Sequence, residues 1–195
     1  GSSAGGSRSG FGGSFSGGIP EEMFGGAARA TPQLDQEHPI QITLEEAFHG
    51  TTRTLQWEGG RRLEARIPRG VRTGSKVRLT DGRAGDLFLK VEVLPHAVYE
   101  RDGDDLRMTL PVDLFTALLG GKVAVPAIDK TVHLTIPEGT RNGKVFRLNK
   151  LGMPHLRKPD ERGDLYVTVS VELPSKLSEE EKRIVREWQQ IRRGE

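Results

Sequence analysis

The chain has 195 residues, of which 29% are charged, a net charge of only +2 and no cysteine, so disulfides and thiolate metal sites are excluded. No apolar run approaches the roughly 18 residues that a membrane span needs, and no signal peptide is legible, so a soluble cytoplasmic protein is expected. The balanced charge argues against a strongly basic nucleic-acid machine, although a pI near 9.0 keeps that class in play.

Residues 1–31 hold ten glycines, with Phe11, Phe15 and Phe24 among serines. Such a segment buries too little apolar surface to offset its backbone entropy, which predicts a flexible linker. Its phenylalanines read either as scattered stickiness or as transient docking points. Order is expected from about His38. Residues 39–42 alternate as a strand, and Thr43-x-x-Glu46 is a capping box opening a short helix that Gly50 ends. Residues 51–57 alternate, with Arg53, Leu55 and Trp57 on one face. A reversal at 58–60 returns the chain as strand 63–67, and further strands are predicted at 76–79 and 87–94. The run 101–105 reads as a short charged hinge. Strands follow at 106–112, 122–125, 131–136, 145–148 and 165–171, with a second short helix between Asp113 and Gly120. Ser178-x-x-Glu181 then caps a terminal amphipathic helix whose stripe is Ile184, Val185, Trp188 and Ile191.

The chain says nearly the same thing twice. Ile67-Pro68-x-Gly70-x-Arg72-x-Gly74-x-x-x-Arg78-Leu79 returns 69 residues later as Ile136-Pro137-x-Gly139-x-Arg141-x-Gly143-x-x-x-Arg147-Leu148. Leu44, Ala47 and Gly50 return as Leu114, Ala117 and Gly120, and Gly85-Asp86-Leu87 as Gly163-Asp164-Leu165. The last offset is 78, so the second copy carries about nine extra residues (78 − 69) around 151–161. The predicted fold class is all-β: two tandem small sandwich- or barrel-like domains of one fold with short helices, followed by the amphipathic helix. Two copies of one fold suggest two similar surfaces, not one catalytic cleft.

Catalytic chemistry is absent. The five histidines, His38, His49, His96, His133 and His155, show no metal-ligand spacing. There is no G-x-S-x-G elbow and no phosphate-binding glycine motif. The duplicated Gly-Asp pairs read as turns. No enzyme activity, metal or cofactor is expected.

These strings resemble the C-terminal substrate-binding region of DnaJ-type J-domain co-chaperones. The resemblance covers essentially the whole chain. It rests on the Gly/Phe segment, Ile42-Thr43-Leu44-Glu45-Glu46-Ala47-Phe48-His49-Gly50, Ile67-Pro68-x-Gly70, Gly85-Asp86-Leu87, Tyr99-Glu100-Arg101-Asp102-Gly103-Asp104-Asp105-Leu106, Leu151-Gly152-Met153-Pro154 and Arg162-Gly163-Asp164-Leu165. The family's C-x-x-C-x-G-x-G zinc repeats are missing, as in the zinc-free type similar to the curved-DNA-binding-protein group. The J-domain with its His-Pro-Asp motif is missing too, so this chain by itself is not expected to activate a DnaK-type chaperone. The implied organisation is a Gly/Phe linker at 1–35, a client-binding domain I at 36–102, a domain II at 103–175 and a dimerisation helix at 176–195.

The resemblance implies a co-chaperone fragment that binds apolar segments of unfolded clients, prevents aggregation and delivers clients to a DnaK-type chaperone, as a homodimer away from membranes. The groove it implies lies on the first copy, at Ile40, Ile42, Leu55, Trp57 and Tyr99, where an open sheet edge can accept an extended peptide. Periodicity alone also fits a plain core face. Arg53, Arg61 and Arg62 are implied to receive the acidic tail of the partner chaperone, or form a solvated edge that discourages aggregation. Ile184, Val185, Trp188 and Ile191 are expected at the dimer contact, or packed on their own domain. The rival is a nucleic-acid-binding architectural protein of the curved-DNA-binding type. It rests on the Gly-rich arm and on Arg147, Lys150, Arg157 and Lys158, with no aromatic interleaved among them.

Overall fold

A computed structural model describes residues 37–57, 60–80 and 86–194. The Gly/Phe-rich segment and the reversal at 58–59 lie outside the described residues. The first copy runs β1 (Glu37–Ile42), α1 (Leu44–His49), β2 (Thr51–Trp57), β3 (Arg61–Ile67), β4 (Lys76–Thr80) and β5 (Asp86–Val93). After a short β6 (Glu100–Asp102), the second copy runs β7 (Asp105–Asp113), α2 (Leu114–Leu119), β8 (Gly121–Pro126), β9 (Thr131–Ile136), β10 (Val145–Leu148) and β11 (Leu165–Glu172). The chain closes with α3 (Glu179–Arg193).

The repetition in sequence is a repetition in register. In the first copy β5 lies between parallel β1 and antiparallel β4, with Ile42 opposite Val93 and Val77 opposite Leu89. In the second, β11 lies between parallel β7 and antiparallel β10, with Val112 opposite Val171 and Phe146 opposite Val167. Each copy adds a separate hairpin, β2–β3 or β8–β9. Alternation sends Ile40 and Ile42 of β1, Leu106, Met108, Leu110 and Val112 of β7, and Leu165, Val167 and Val169 of β11 into one apolar cluster shared by both copies. Each such side chain contributes about 1.5–3 kcal/mol on burial, set against the conformational entropy lost by ordering it.

The helix caps follow the sequence grammar. Thr43 Oγ1 accepts the Glu46 N–H at 3.2 Å while Glu46 Oε2 accepts the Thr43 N–H at 2.9 Å. In the second copy Asp113 Oδ1 accepts the Thr116 N–H at 2.9 Å. Gly50 and Gly120 end the two helices at φ 76° and 80°, a region that a side chain disfavours.

The expected hinge at 101–105 is a β-hairpin. β6 pairs antiparallel with β7, Arg101 opposite Leu106, through a turn at Gly103 with φ 65°. Charged residues make this stretch look solvated, yet Arg101 points back into the first copy. Its guanidinium donates to Val71 O at 2.6 Å, Gly70 O at 3.2 Å and Gly103 O at 2.8 Å. Burial and the neighbouring Arg72 push its pKa below the usual arginine value. Arg72 in turn donates to Asp104 at 2.8 Å.

The extra residues of the second copy pack on the same place. A Cβ on Gly70 would sit 2.5 Å from Pro154 O and 2.8 Å from Leu156 N, so only glycine admits this loop. Nearby, Arg162 stacks its guanidinium 4.6 Å from the Phe48 ring of α1 and donates to Asp129 at 2.9 and 3.3 Å. That hydrogen bond, against some desolvation, holds the Asp129 carboxyl below the usual aspartate range.

α3 is capped by Ser178, whose Oγ accepts the Glu181 N–H at 3.2 Å, and none of its residues is buried. Among the described residues no helix is long and apolar enough to cross a membrane.

Candidate functional site

The β2–β3 hairpin changes character along its length. At its base Ala65 and Ile67 are buried under the first copy. Toward its tip the directly opposed pair Leu55 and Leu63 is only half-buried, leaning on the core from outside. On the opposite face Thr52, Thr54, Gln56, Arg62, Glu64 and Arg66 are exposed. Among the described residues β2 pairs only with β3, and β1 only with β5, so both have an unpaired outer edge. An exposed row of N–H and C=O groups invites an added strand.

The implied groove residues do not all meet. Ile40 and Ile42 are core residues, 8% and 1% exposed, because β1 turns them inward between exposed Pro39, Gln41 and Thr43. This corrects their expected role as client contacts; what β1 offers outward is backbone. Tyr99 is half-buried and donates its hydroxyl to Pro126 O at 2.7 Å. It lines a cleft of about 540 Å³ with Leu44, Val93, Leu94, His96 and Arg101, a set that includes neither Leu55 nor Ile40. Burial, with Glu45 nearby, raises the Tyr99 pKa. The backbones of Trp57 and Arg61 pair at the hairpin tip, and their side chains lie outside the described residues.

Of the three basic residues, Arg53 and Arg62 fall on opposite faces of the hairpin. Arg53 donates to Glu46 Oε1 at 2.5 Å, so it is committed to the acid that closes the α1 cap. The backbone N–H of Thr43 and then Arg53 hold the Glu46 carboxyl below its ordinary range. Arg62 projects from the outer face without an ion pair among the described residues. In the stretch that suggested nucleic acid, Arg147 bonds Asp164 at 2.7 Å and Lys158 bonds Glu161 at 3.0 Å, which removes half of its free charge.

α3 exposes its whole apolar stripe: Ile184 is 52%, Val185 44%, Trp188 43% and Ile191 64% exposed. One apolar surface escaped sequence reasoning. Phe115 and Leu119 on α2 are 64% and 77% exposed, where α1 carries Glu45 and His49. Their i,i+4 spacing against a polar counterpart is the signal that would have found them.

The model of the DnaJ C terminal domain matches residues 36–174. The chain is 40% identical over 152 residues to "Chaperone protein DnaJ" of Sinorhizobium medicae (strain WSM419), covering 73% of this chain and 40% of that protein. It is also 40% identical over 135 residues to "Chaperone protein DnaJ" of Burkholderia pseudomallei (strain K96243), covering 65% of this chain and 36% of that protein. It thus spans about 40% of the length of these curated relatives. With the duplicated sheet and the caps already in place, the chain belongs to the DnaJ C-terminal domain family.

Proposed function

We propose that this chain is the client-holding part of a co-chaperone, which clasps apolar segments of unfolded polypeptides in extended form and delivers them to a DnaK-type chaperone in the cytoplasm. The first arm, 36–102, provides the groove; the second, 103–175, links it to the terminal helix. The observation that carries this reading is the β2 edge, unpaired among the described residues, running beside the half-buried Leu55–Leu63 pair. Main-chain hydrogen bonds to β2 supply affinity without sequence preference, and the leucines reward apolar side chains on one face of the added strand.

Magnitudes suit a holder that lets go. Two or three client side chains contribute about 1.5–3 kcal/mol each. Ordering the peptide and losing its free motion cancel much of that, leaving micromolar or weaker affinity per groove. In an assay of aggregation by a denatured client, Leu55→Ala/Trp57→Ala is expected to lose most of the suppression that the unaltered chain gives. Equal suppression by both proteins would count against the groove.

Two grooves joined by α3 would raise avidity for a long client without tight single sites. An exposed apolar stripe on a capped 15-residue helix supports a helix-to-helix contact between two chains. Light scattering should give a dimer mass for the chain and a monomer mass for Trp188→Ala. An unchanged mass would remove the contact. The nucleic-acid alternative is not favoured, since Arg147 and Lys158 already hold carboxylates.

A further inference from the structure

A second cleft, of about 410 Å³, opens where α1 meets the base of the β2–β3 hairpin. It is lined by His49, Gly50, Thr51, Thr52, Arg66 and Arg69, along with Ile67 and Pro68. No carboxylate lines it. Among the described residues Arg66 and Arg69 make no ion pair and no side-chain hydrogen bond, whereas Arg53, Arg72, Arg107, Arg147, Arg162 and Arg183 each hold an acid. The next acid along the hairpin's outer face, Glu64, is not paired with either.

The second copy is an internal control. Gly120 repeats the backbone of Gly50: a Cβ on either would lie 3.1 Å from the carbonyl oxygen of the matching isoleucine, Ile67 or Ile136. At the positions of His49, Thr52, Arg66 and Arg69 that copy carries Leu119, Lys122, Thr135 and Glu138. The same frame therefore folds with other residues at these positions, so the frame does not require this cationic set. The Ala47 carbonyl at the end of α1, which would repel an anion, is already taken by the Gly70 N–H at 2.8 Å.

We propose that this cleft is a binding site for a phosphate-type oxyanion, held between the Arg66 and Arg69 guanidinium groups, with His49 and the hydroxyl of Thr52, which is opposed to Arg66 on the same face of the hairpin, as further donors. Guanidinium forks match phosphate oxygens, and donors arriving from several elements suit a tetrahedral dianion better than a planar carboxylate. The volume falls within the small-ligand range of about 300–1,000 Å³. This assignment is independent of the client groove and of its test.

Titration calorimetry on the whole chain would use pyrophosphate, a phosphoserine peptide and a glutamate-rich peptide of equal charge. Saturable binding of pyrophosphate is expected, weakened about tenfold or more by Arg66→Ala or Arg69→Ala, the loss of a charged hydrogen bond. Arg62→Ala, outside the cleft, should leave it unchanged. Binding of pyrophosphate without the phosphopeptide identifies free phosphate as the source, and binding of the phosphopeptide identifies a phosphorylated protein. No saturable binding of either overturns the site. So does equal binding of the glutamate peptide, or equal weakening by Arg62→Ala. Because all three arginines are exposed, unchanged melting temperatures will separate lost binding from lost folding.

Discussion

A Gly163→Ala substitution should cost about 3–5 kcal/mol in urea unfolding, at the upper end for a single side chain. The added Cβ would lie 2.1 Å from the Asp104 carbonyl oxygen, 2.4 Å from its carbon and 2.7 Å from Asp105 Oδ1. None of these atoms is free to yield. The Asp104 oxygen accepts the Met153 N–H at 2.7 Å, Gly163 donates to Met153 O at 3.0 Å, and Gly152 donates to Gly163 O at 2.8 Å. Asp105 Oδ1 accepts the Asp164 N–H at 2.7 Å. The extra loop of the second copy is laced to the β6–β7 hairpin at this point, and one methyl group forces the lacing open. Gly143→Ala is the control. Its φ is 81° with no atom within 4 Å of an added Cβ, so only the backbone cost of about 1–2 kcal/mol applies. Equal losses at the two positions would show that the close approach does not matter.

What the sequence disclosed follows from local physics. Capping boxes at Thr43 and Ser178, the Asp113 cap and period-two alternation act between neighbours in the chain, so they are readable one segment at a time. The repeat carried more, because identical spacings at Ile67 and Ile136 imply identical registers, and those appear in both sheets. What stayed hidden depends on which surfaces meet. Alternation placed Ile40 and Ile42 on one face but could not say that this face is the interior. Arg101 looked solvated because its partners, Val71 O and Gly70 O, are backbone atoms some 30 residues away that no side-chain pattern reveals. The insertion at 151–161 was visible as a length difference, and its seat on Gly70 was not. Leu55, expected at the groove from the family resemblance, leans half-buried on the core, whereas Tyr99 turns toward a different cleft.

Gly70→Ala should loosen the joint between the two arms while leaving each arm folded. Gly70 and Gly139 are equivalent by sequence, and both have positive φ, 84° and 70°. Each alanine therefore carries the same backbone cost of about 1–2 kcal/mol. Only at Gly70 does the new Cβ strike another element, Pro154 O at 2.5 Å and Leu156 N at 2.8 Å, for an additional cost of about 1–3 kcal/mol. Calorimetry is expected to give one transition for the unaltered chain and for Gly139→Ala, and two for Gly70→Ala as the copies melt apart. A single transition with matched losses would mean that the loop is not what joins them. On the proposed client-holding role, the joint bears on avidity as well as on stability. Avidity needs a span between grooves that the client can bridge, and a free joint spreads that span over many lengths. Gly70→Ala should then suppress aggregation of long clients less well at a temperature where both arms remain folded, while binding of a single short peptide is unchanged.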